Sequence, residues 1–219
     1  MATPTPMDAL VASLCRPLGF SYGVRPIAME ETGGPEPGLS SAEEALRLAL
    51  RSPKRRREFT AGRLAAKEAL RKAVFFDCRE GPIDIGRKAS GAPKSPRDGI
   101  YLSISHSGCV AVAVAAPYPV GVDVEQGDPR PPSLARYFFS SREQTFLARK
   151  GAKESATLVN RLWSRKEAVA KVGEWGGRLV FREIDCVDNT VWVEGRVISL
   201  SSGATERFVV SIAYDKEYR

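Results

Sequence analysis

Two acidic side chains alternate with valines in the sequence Gly121–Gln126, GVDVEQ. If this stretch is a β-strand, Val122 and Val124 face one side, and Asp123 and Glu125 face the other. Two neighbouring carboxylates supply the hard oxygen ligands that Mg²⁺ prefers. For these two residues alone, the simpler interpretation is a solvated face of an edge strand.

A second pair of charged residues continues an apolar helical pattern. Val159 and Trp163 are four residues apart, and the same row continues to Glu167 and Lys171. By itself, a Glu–Lys pair at this spacing is an ordinary helical ion pair. Together with the two strand carboxylates, Glu167 would instead complete a three-carboxylate metal site, because a buried carboxylate is costly unless it is paired or bound to a metal.

The only histidine, His106, lies in the sequence SISHSG at the predicted turn between two strands. A lone histidine is commonly a structural residue. Here Ser105 precedes it and Gly108 permits close backbone approach, which suits an anion such as a phosphate. Arg63 lies beyond the basic run 54–57 and could add positive charge, whereas the run itself is usually a solvated helix face.

The net charge of +7 on the 219-residue chain is concentrated in one segment. Residues 41–100 contain 15 Lys and Arg against 8 Asp and Glu, whereas the rest of the chain contains 18 of each. This excess predicts an anionic partner: a phosphate group, nucleic acid or an acidic protein surface. Few aromatic residues interleave with the charges and no nucleic-acid-binding module is evident, so we expect no nucleic acid partner.

Several other functional classes lack their signatures. The sequence has no P-loop, no dinucleotide fingerprint and no GxSxG elbow of a Ser-His-Asp hydrolase. The four cysteines show no C-x-x-C spacing, which disfavours zinc and a disulfide framework and favours small buried or half-buried residues. The longest apolar run, 109–116, fits a buried strand, and the N-terminal residues lack a signal-peptide pattern. We therefore expect a soluble, cytoplasmic protein with no membrane partner.

The predicted elements follow the order two helices, four strands, two helices and three strands. Ser41 with Glu44 and Ser140 with Glu143 have the capping-box spacing at two predicted helix starts. Helices paired with antiparallel strands indicate an α+β fold of two similar halves, although no sequence repeat is evident. The predicted halves are residues 1–119 and 120–219.

The motifs RRREFTAGRLAAKEAL, GAP, SISHS, GVDVE and LWSRKEAVAK occur in this order over about residues 40–172. Together they resemble the 4′-phosphopantetheinyl transferases of the pseudo-dimeric surfactin/enterobactin type, and the combination is far more specific than any single motif. The resemblance implies two α/β halves related by a pseudo-twofold axis, with the active site in the cleft between them. It places the coenzyme A 3′-phosphate and adenine on the first half, and the metal and carrier protein on the second.

The resemblance also implies a reaction and its residues. Such enzymes transfer the 4′-phosphopantetheine arm of coenzyme A to a serine of an apo acyl or peptidyl carrier protein, and release adenosine 3′,5′-bisphosphate. Glu167 would act as the base and Lys171 would contact the attacked phosphate. Mg²⁺, with Mn²⁺ as a substitute, would be held by Asp123, Glu125 and Glu167. Coenzyme A would be bound by Arg56, Arg63, Ser90, Gly91, Ala92, Pro93, Ser105, His106 and Lys171. Many relatives have lysine where Ala92 stands.

An acidic carrier protein is the implied macromolecular partner, from fatty-acid, polyketide, nonribosomal-peptide or siderophore biosynthesis. The stretch 136–150 is a candidate docking surface, with Phe138 or Phe139 exposed among arginines or else buried in the core. Two halves in one chain predict a monomer. Two alternatives remain open: a non-catalytic coenzyme A or nucleotide-binding protein, and a basic nucleic-acid-binding domain, which would bind in a salt-dependent way without Mg²⁺.

Overall fold

The computed structural model describes residues 5–31, 34–73, 83–127, 134–175 and 178–218. Over these residues the chain forms helices and antiparallel sheets, so the predicted α+β class is confirmed. The chain divides into two compact units, Met1–Pro117 and Tyr118–Arg219. None of the helices in these ranges is long and apolar enough to cross a membrane.

The first unit places one long helix against an antiparallel sheet. Its elements are α1 (Pro6–Cys15), β1 (Ser21–Pro26), α2 (Ser41–Leu48), α3 (Pro53–Lys72), β2 (Gly86–Arg87), β3 (Pro93–Lys94), β4 (Tyr101–Ser107) and β5 (Val110–Ala116). The three-stranded sheet has the order β1-β5-β4, and β2 pairs with β3 in a short hairpin. All seven residues of β5 are buried, as expected for the central strand of a covered sheet.

Small residues let α3 lie very close to β1. Ala65 is fully buried, and a Cβ added to Gly23 would overlap its carbonyl oxygen and lie 3.0 Å from Glu68 Cβ. Glycine therefore allows the strand backbone to reach the helix where a side chain would prevent it. The apolar pattern of α3 predicts Phe59, Leu64, Ala66 and Leu70 on its inward side. Ala66 and Leu70 are fully buried, whereas Phe59 and Leu64 are only partly buried.

The second unit repeats the arrangement of a long helix on an antiparallel sheet. Its elements are β6 (Val120–Gln126), α4 (Ala135–Phe138), α5 (Ser141–Ala148), α6 (Ala152–Val172), β7 (Thr190–Val193), β8 (Arg196–Ala204) and β9 (Phe208–Tyr214). The sheet order is β6-β9-β8-β7. The long helix α6 ends at Gly173 and the three C-terminal strands are present, as predicted.

α6 crosses β6 through another glycine. A Cβ added to Gly121 would overlap the carbonyl oxygen of Ala168 and lie 3.0 Å from Lys171 Cβ. The side of β6 that carries Gly121 therefore faces α6, and alternation along the strand puts residues 123 and 125 on that same side.

Three expectations about local structure were wrong. Helix α1 and strand β1 were not predicted, although a Thr5–Asp8 capping box begins α1. The cap of α2 is Ser40 with Glu43, one residue before the predicted pair, because Ser40 has the extended backbone that a cap requires. His106 lies within β4, and the turn to β5 follows it at residues 108–109.

The cysteines in the described ranges have different environments. Cys15 and Cys186 are buried, and burial raises the pKa of each thiol to about 12. Both therefore behave as small apolar residues, as predicted. Cys109 is exposed, contrary to the expectation of burial, because it lies in the turn between β4 and β5. Cys78 lies outside the described residues.

Candidate functional site

The acidic pair on β6 lies beneath α6. Asp123 is only 4% exposed and Glu125 is half-buried, whereas Val122 and Val124 are buried on the opposite face of the strand. The predicted separation of carboxylates from valines is therefore confirmed. Since α6 covers the acidic side, the alternative of a fully solvated edge face does not hold for Asp123.

An ion pair joins the last turn of α6 to β6. Lys171 Nζ lies 2.8 Å from Asp123 Oδ1 and donates a second hydrogen bond, of 3.0 Å, to the Val122 carbonyl oxygen. The Lys171 side chain retains 31% exposure and is therefore only partly covered by the fold. A cation at the C-terminal end of a helix is also favoured by the helix dipole. The lysine of the KEAVAK motif and the aspartate of the GVDVE motif are thus in direct contact.

Glu167 occupies the turn of α6 that precedes Lys171 and is half-buried. One turn earlier, the Ser164 hydroxyl donates a 3.3 Å hydrogen bond to the backbone carbonyl of Asp123. Ser164, Ala168 and Lys171 all contact β6, so Glu167 lies among the turns of α6 that cross the strand. The structure therefore brings the helix motif and the strand motif to the same crossing.

Sequence reasoning missed two buried cations next to Glu167. Lys166 is fully buried; its ammonium lies 2.8 Å from Glu143 Oε2 and donates hydrogen bonds to the carbonyls of Phe181, at 2.7 Å, and Ile184. Burial raises the pKa of Glu143 above its ordinary value, while Lys166 opposes that shift. This ion pair anchors α6 to α5 and to the segment that leads to β7.

Arg165 makes the second anchor, and it is 2% exposed. Its guanidinium donates to the carbonyls of Cys186, Val187 and Asp188, at 2.7, 3.0 and 3.1 Å, and to the side chains of Ser202, at 2.9 Å, and Asn189. Burial, followed by the charge of Arg161, lowers the pKa of Arg165. The only sequence signal for these anchors was a row of cations inside an otherwise apolar helix.

The donor chemistry at the crossing fits a hard divalent cation. Asp123, Glu125 and Glu167 supply carboxylate oxygens, the ligand type that Mg²⁺ selects. Among the residues that the structure describes, however, no group of three or more His, Cys, Asp or Glu side chains is close enough to hold a metal. Asp123 is instead bonded to Lys171. The donor set is thus suitable, and its carboxylates would have to converge around a cation.

The residues expected to bind phosphate differ in availability. Arg63 is buried, and its Nη1 donates to the carbonyls of Ile85, at 2.9 Å, and Gly86, at 3.2 Å. Burial lowers the pKa of Arg63. Ser105 and His106 point to opposite faces of β4, so Ser105 is buried and His106 is exposed. His106 Nδ1 lies 3.8 Å from Glu58 Oε1 on α3.

The predicted adenine segment, residues 90–93, is the loop of the β2–β3 hairpin. Ser90 and Gly91 are exposed, whereas Ala92 and Pro93 are half-buried. Gly91 has a φ of 88°, and the Ala92 carbonyl accepts a 2.9 Å hydrogen bond from the Lys88 amide. Ser90 and Gly91 thus lie exposed at the tip of this loop on the first unit.

Arg56 is already engaged within the first unit. Its guanidinium donates to both carboxylate oxygens of Glu31, at 2.7 and 3.0 Å, and to the Leu50 carbonyl, at 3.0 Å. The Arg56 hydrogen bond is also the main cause that lowers the pKa of Glu31. A planar two-bond pair of this kind holds a loop in place. Coenzyme A would have to displace Glu31 to use Arg56.

The candidate docking surface, residues 136–150, presents fewer aromatic side chains than its sequence offers, because two of them pack inward. Phe139 is 1% exposed and belongs to the core, and Phe138 is half-buried with its ring 5.2 Å from that of Trp163. Tyr137 is 57% exposed and is therefore the aromatic side chain that this surface presents. Arg142 pairs with aspartates on the segment before β7, which leaves less of its charge available to a partner.

Comparisons with known proteins agree with this arrangement. A family model of the 4′-phosphopantetheinyl transferase superfamily matches residues 119–213, and a model of the 4′-phosphopantetheinyl transferase N-terminal domain matches residues 42–116. The two matched stretches fall on the two structural units.

Individual relatives carry the same name. The chain is 28% identical over 160 residues to a 4′-phosphopantetheinyl transferase of Bacillus subtilis, covering 72% of this chain and 69% of the relative. It is 30% identical to the transferase Svp of Streptomyces mobaraensis, over 69% of this chain and 61% of the relative. It is 34% identical to Sfp of Bacillus subtilis strain 168, over 32% of each chain. Family models on both units and relatives of one name agree: the chain belongs to the 4′-phosphopantetheinyl transferase superfamily, and is of the Sfp type.

Proposed function

We propose that this protein transfers the 4′-phosphopantetheine arm of coenzyme A to a serine hydroxyl of an apo acyl or peptidyl carrier protein in a Mg²⁺-dependent reaction. The observation that carries the proposal is the crossing of α6 over β6. There Lys171 of KEAVAK contacts Asp123 of GVDVE, so two motifs some forty residues apart in sequence meet at one point.

Asp123, Glu125 and Glu167 are the proposed ligands of Mg²⁺, for which Mn²⁺ can substitute. Once bound, the cation neutralises charge on the coenzyme A pyrophosphate. Phosphoryl transfer depends mainly on such charge neutralisation and on positioning, and needs little covalent chemistry from the protein. Asp123 is buried and is compensated by Lys171 in the structure, so the support for this role is the hard-oxygen chemistry of the three carboxylates.

Glu167 and Lys171 are the proposed catalytic residues. The carrier serine oxygen attacks the phosphorus on the pantetheine side of the pyrophosphate, and Glu167 takes up the serine proton. The bond from that phosphorus to the bridging oxygen breaks, and adenosine 3′,5′-bisphosphate leaves with the electron pair. Lys171 would stabilise the negative charge on the attacked phosphate. Its partial exposure supports access to a ligand.

The first unit would hold the nucleotide end of coenzyme A. The exposed imidazole of His106 is the group best available to the 3′-phosphate, while Arg63 would support it through the Ile85–Gly86 backbone that its guanidinium holds. The loop 90–93 would lie along the adenine. Ser105 is buried within β4, next to His106 in the sequence. Arg56 would contact coenzyme A only after its hydrogen bonds to Glu31 break.

The proposed partner is an acidic carrier protein, attracted by the basic segment of the first unit. Fatty-acid, polyketide, nonribosomal-peptide and siderophore carriers all satisfy this description. A monomeric, cytoplasmic enzyme remains our prediction. Sedimentation and cell fractionation would measure these two properties directly.

The decisive experiment incubates the protein with coenzyme A, MgCl₂ and an apo carrier protein, and then measures the intact carrier mass. We expect the mass to increase by one phosphopantetheine, and we expect excess EDTA to prevent the increase. Matched reactions use Glu167→Gln and, as a control in the first unit, Glu68→Gln. If no carrier gains mass, calorimetry with coenzyme A separates a binding protein from a wrong assignment: tight binding leaves the non-catalytic alternative, and absence of binding rejects the site.

A further inference from the structure

The ion pair between Lys171 and Asp123 places a positive charge on one of the proposed metal ligands. Lys171 Nζ is 2.8 Å from Asp123 Oδ1 and 3.0 Å from the Val122 carbonyl oxygen. Asp123 is almost completely buried, whereas the Lys171 side chain keeps 31% of its surface exposed. The ammonium group of a partly exposed lysine therefore compensates an almost fully buried carboxylate.

Two positive charges would compete for that carboxylate. A divalent cation needs a carboxylate oxygen at roughly 2.0–2.6 Å and repels an ammonium group held on the same side chain. Conversely, an ammonium hydrogen-bonded to the carboxylate occupies one of the lone pairs that a cation would use. Lys171 and a metal can share Asp123 only at an electrostatic cost.

We infer that Lys171 and the metal exchange places on Asp123. Without a metal, the Lys171 ammonium neutralises Asp123; when the cation binds Asp123, Lys171 is displaced and becomes available to the phosphate group of the substrate. The inference rests on the proposed function and assigns a further role to its site. Metal binding would then also position the lysine, so that coenzyme A meets a free ammonium group only on the metal-loaded protein.

The first unit offers a matched control for this exchange. Arg25 follows Gly23 on β1 as Asp123 follows Gly121 on β6, and Arg25 Nε lies 2.9 Å from Glu68 Oε2 on α3. This pair has the opposite polarity, with the cation on the strand and the acid on the helix. Removing its cation, by Arg25→Met, perturbs a similar helix–strand ion pair without touching the proposed metal ligands.

The experiment titrates MnCl₂ into the full-length protein at fixed pH and measures free Mn²⁺ by its electron paramagnetic resonance signal. Lys171→Met should bind Mn²⁺ at least about tenfold more tightly than the wild type, because a nearby positive charge has been removed. Lys171→Arg, which retains the charge, should remain within about threefold of the wild type. Arg25→Met should leave the Mn²⁺ affinity unchanged. Circular dichroism confirms that each variant is folded.

An unchanged or weaker Mn²⁺ affinity in Lys171→Met would overturn the inference, and so would the absence of binding in both proteins, since removal of the competitor should reveal the site. Equal tightening in Lys171→Arg would show that side-chain shape, not charge, controls access, and would also overturn it. The titration contains neither coenzyme A nor carrier protein. If metal binding follows the expected pattern but the mass assay shows no transfer, only the proposed function fails.

Discussion

The two units pack a long helix on a strand in the same way, but the ion pair beside the crossing has opposite polarity in the two units. In both, a glycine on the first strand lies under an alanine of the long helix, Gly23 under Ala65 and Gly121 under Ala168. The helix residue three positions later lies 3.0 Å from the position of the missing Cβ in each unit, and it is Glu68 in the first and Lys171 in the second. The backbone arrangement is therefore shared, while the polar groups placed on it differ.

The two units also share a capping box that is hydrogen-bonded to a distant loop. In the first unit, Ser40 caps α2 and forms the box with Glu43. The Ser40 hydroxyl donates to Asp84 at 2.6 Å, and Glu43 accepts a hydrogen bond from the Ile85 amide at 3.2 Å. The second unit repeats every one of these contacts with a new set of residues: Ser140, Glu143, Asp185 and Cys186. The sequence signals of this repeat are short, Ser-Ser-x-Glu at 40–43 and 140–143 and Ile-Asp at 83–84 and 184–185, and the contacts that join them are visible only in the fold.

The buried lysine that pairs with each capping glutamate marks the difference between the units. Lys67, which pairs with Glu43, lies two residues after Ala65 on α3. Lys166, which pairs with Glu143, lies two residues before Ala168 and directly precedes Glu167. In the second unit, the buried lysine therefore directly precedes Glu167, the proposed base, and we expect its anchoring to α5 to help hold that turn of α6 in place.

The largest expected difference between the units is in catalysis. Replacing Glu167 by Gln should lower the transfer rate by roughly 10²- to 10⁴-fold, because the base is lost while the shape is kept. Glu68→Gln, in the first unit, should leave the rate within about twofold. Intact-mass kinetics on one carrier protein measure both, and a near-normal rate in Glu167→Gln would remove this residue from the mechanism.

Breaking either buried ion pair should destabilise the protein, but only one should also affect transfer. Lys166→Met and Lys67→Met each leave a buried carboxylate without its partner, which costs about 3–5 kcal/mol in the free energy of unfolding. Urea unfolding measures this loss. Under conditions where both variants remain folded, Lys166→Met should lower kcat through Glu167, whereas Lys67→Met should not. Equal kcat values would show that the position of the lysine has no role in orienting Glu167.

The two glycine crossings allow a smaller but sharper test. Gly121→Ala and Gly23→Ala each force a Cβ against a helix carbonyl, which should cost about 1–3 kcal/mol of stability. Gly121→Ala should in addition lower transfer, because the displaced Ala168 neighbours Glu167. Thermal unfolding and the mass assay separate the two effects. Unchanged stability in either variant would mean that the helix moves away without cost.

The smallest expected effect is shared equally by the units. Ser40→Ala and Ser140→Ala each remove a helix cap and a hydrogen bond to an aspartate, so each should lower the free energy of unfolding by about 1 kcal/mol. Chemical denaturation of the two variants side by side measures the difference. A cost several times larger for one serine would show that the repeated contacts are not energetically equivalent.

The sequence predicted the crossing motifs well because their signals are local. Alternation within GVDVEQ correctly separated the valines from Asp123 and Glu125, and the four-residue row on α6 leads to Lys171, which contacts Asp123, while the role of Glu167 stays a prediction. The α+β class followed from the same periodicities. The direct contact between Lys171 and Asp123 required knowledge of which face of β6 the helix covers.

Other features could not be predicted because their partners are distant in sequence. The burial of Arg165 and Lys166 depends on backbone carbonyls 15 to 23 residues away, so no local pattern indicated it. The same limit applied to Phe138 and Phe139, for which the sequence left exposure and burial open; Phe139 is part of the core. The helix cap was predicted at Ser41 instead of Ser40, because both adjacent serines have a glutamate three residues later.

The close glycine–alanine crossing also has a consequence for protein engineering. Because a glycine and the helix backbone form most of each crossing, the side chains around it differ between the two units. The positions of the two units can be matched by counting from the glycine and the alanine of each crossing. On the strands, Asp123 matches Arg25 and Glu125 matches Ile27; on the helices, Glu167 matches Leu64 and Lys171 matches Glu68. Four substitutions at these positions would therefore give the first unit the charge pattern of the second. The same chain would then carry that pattern twice.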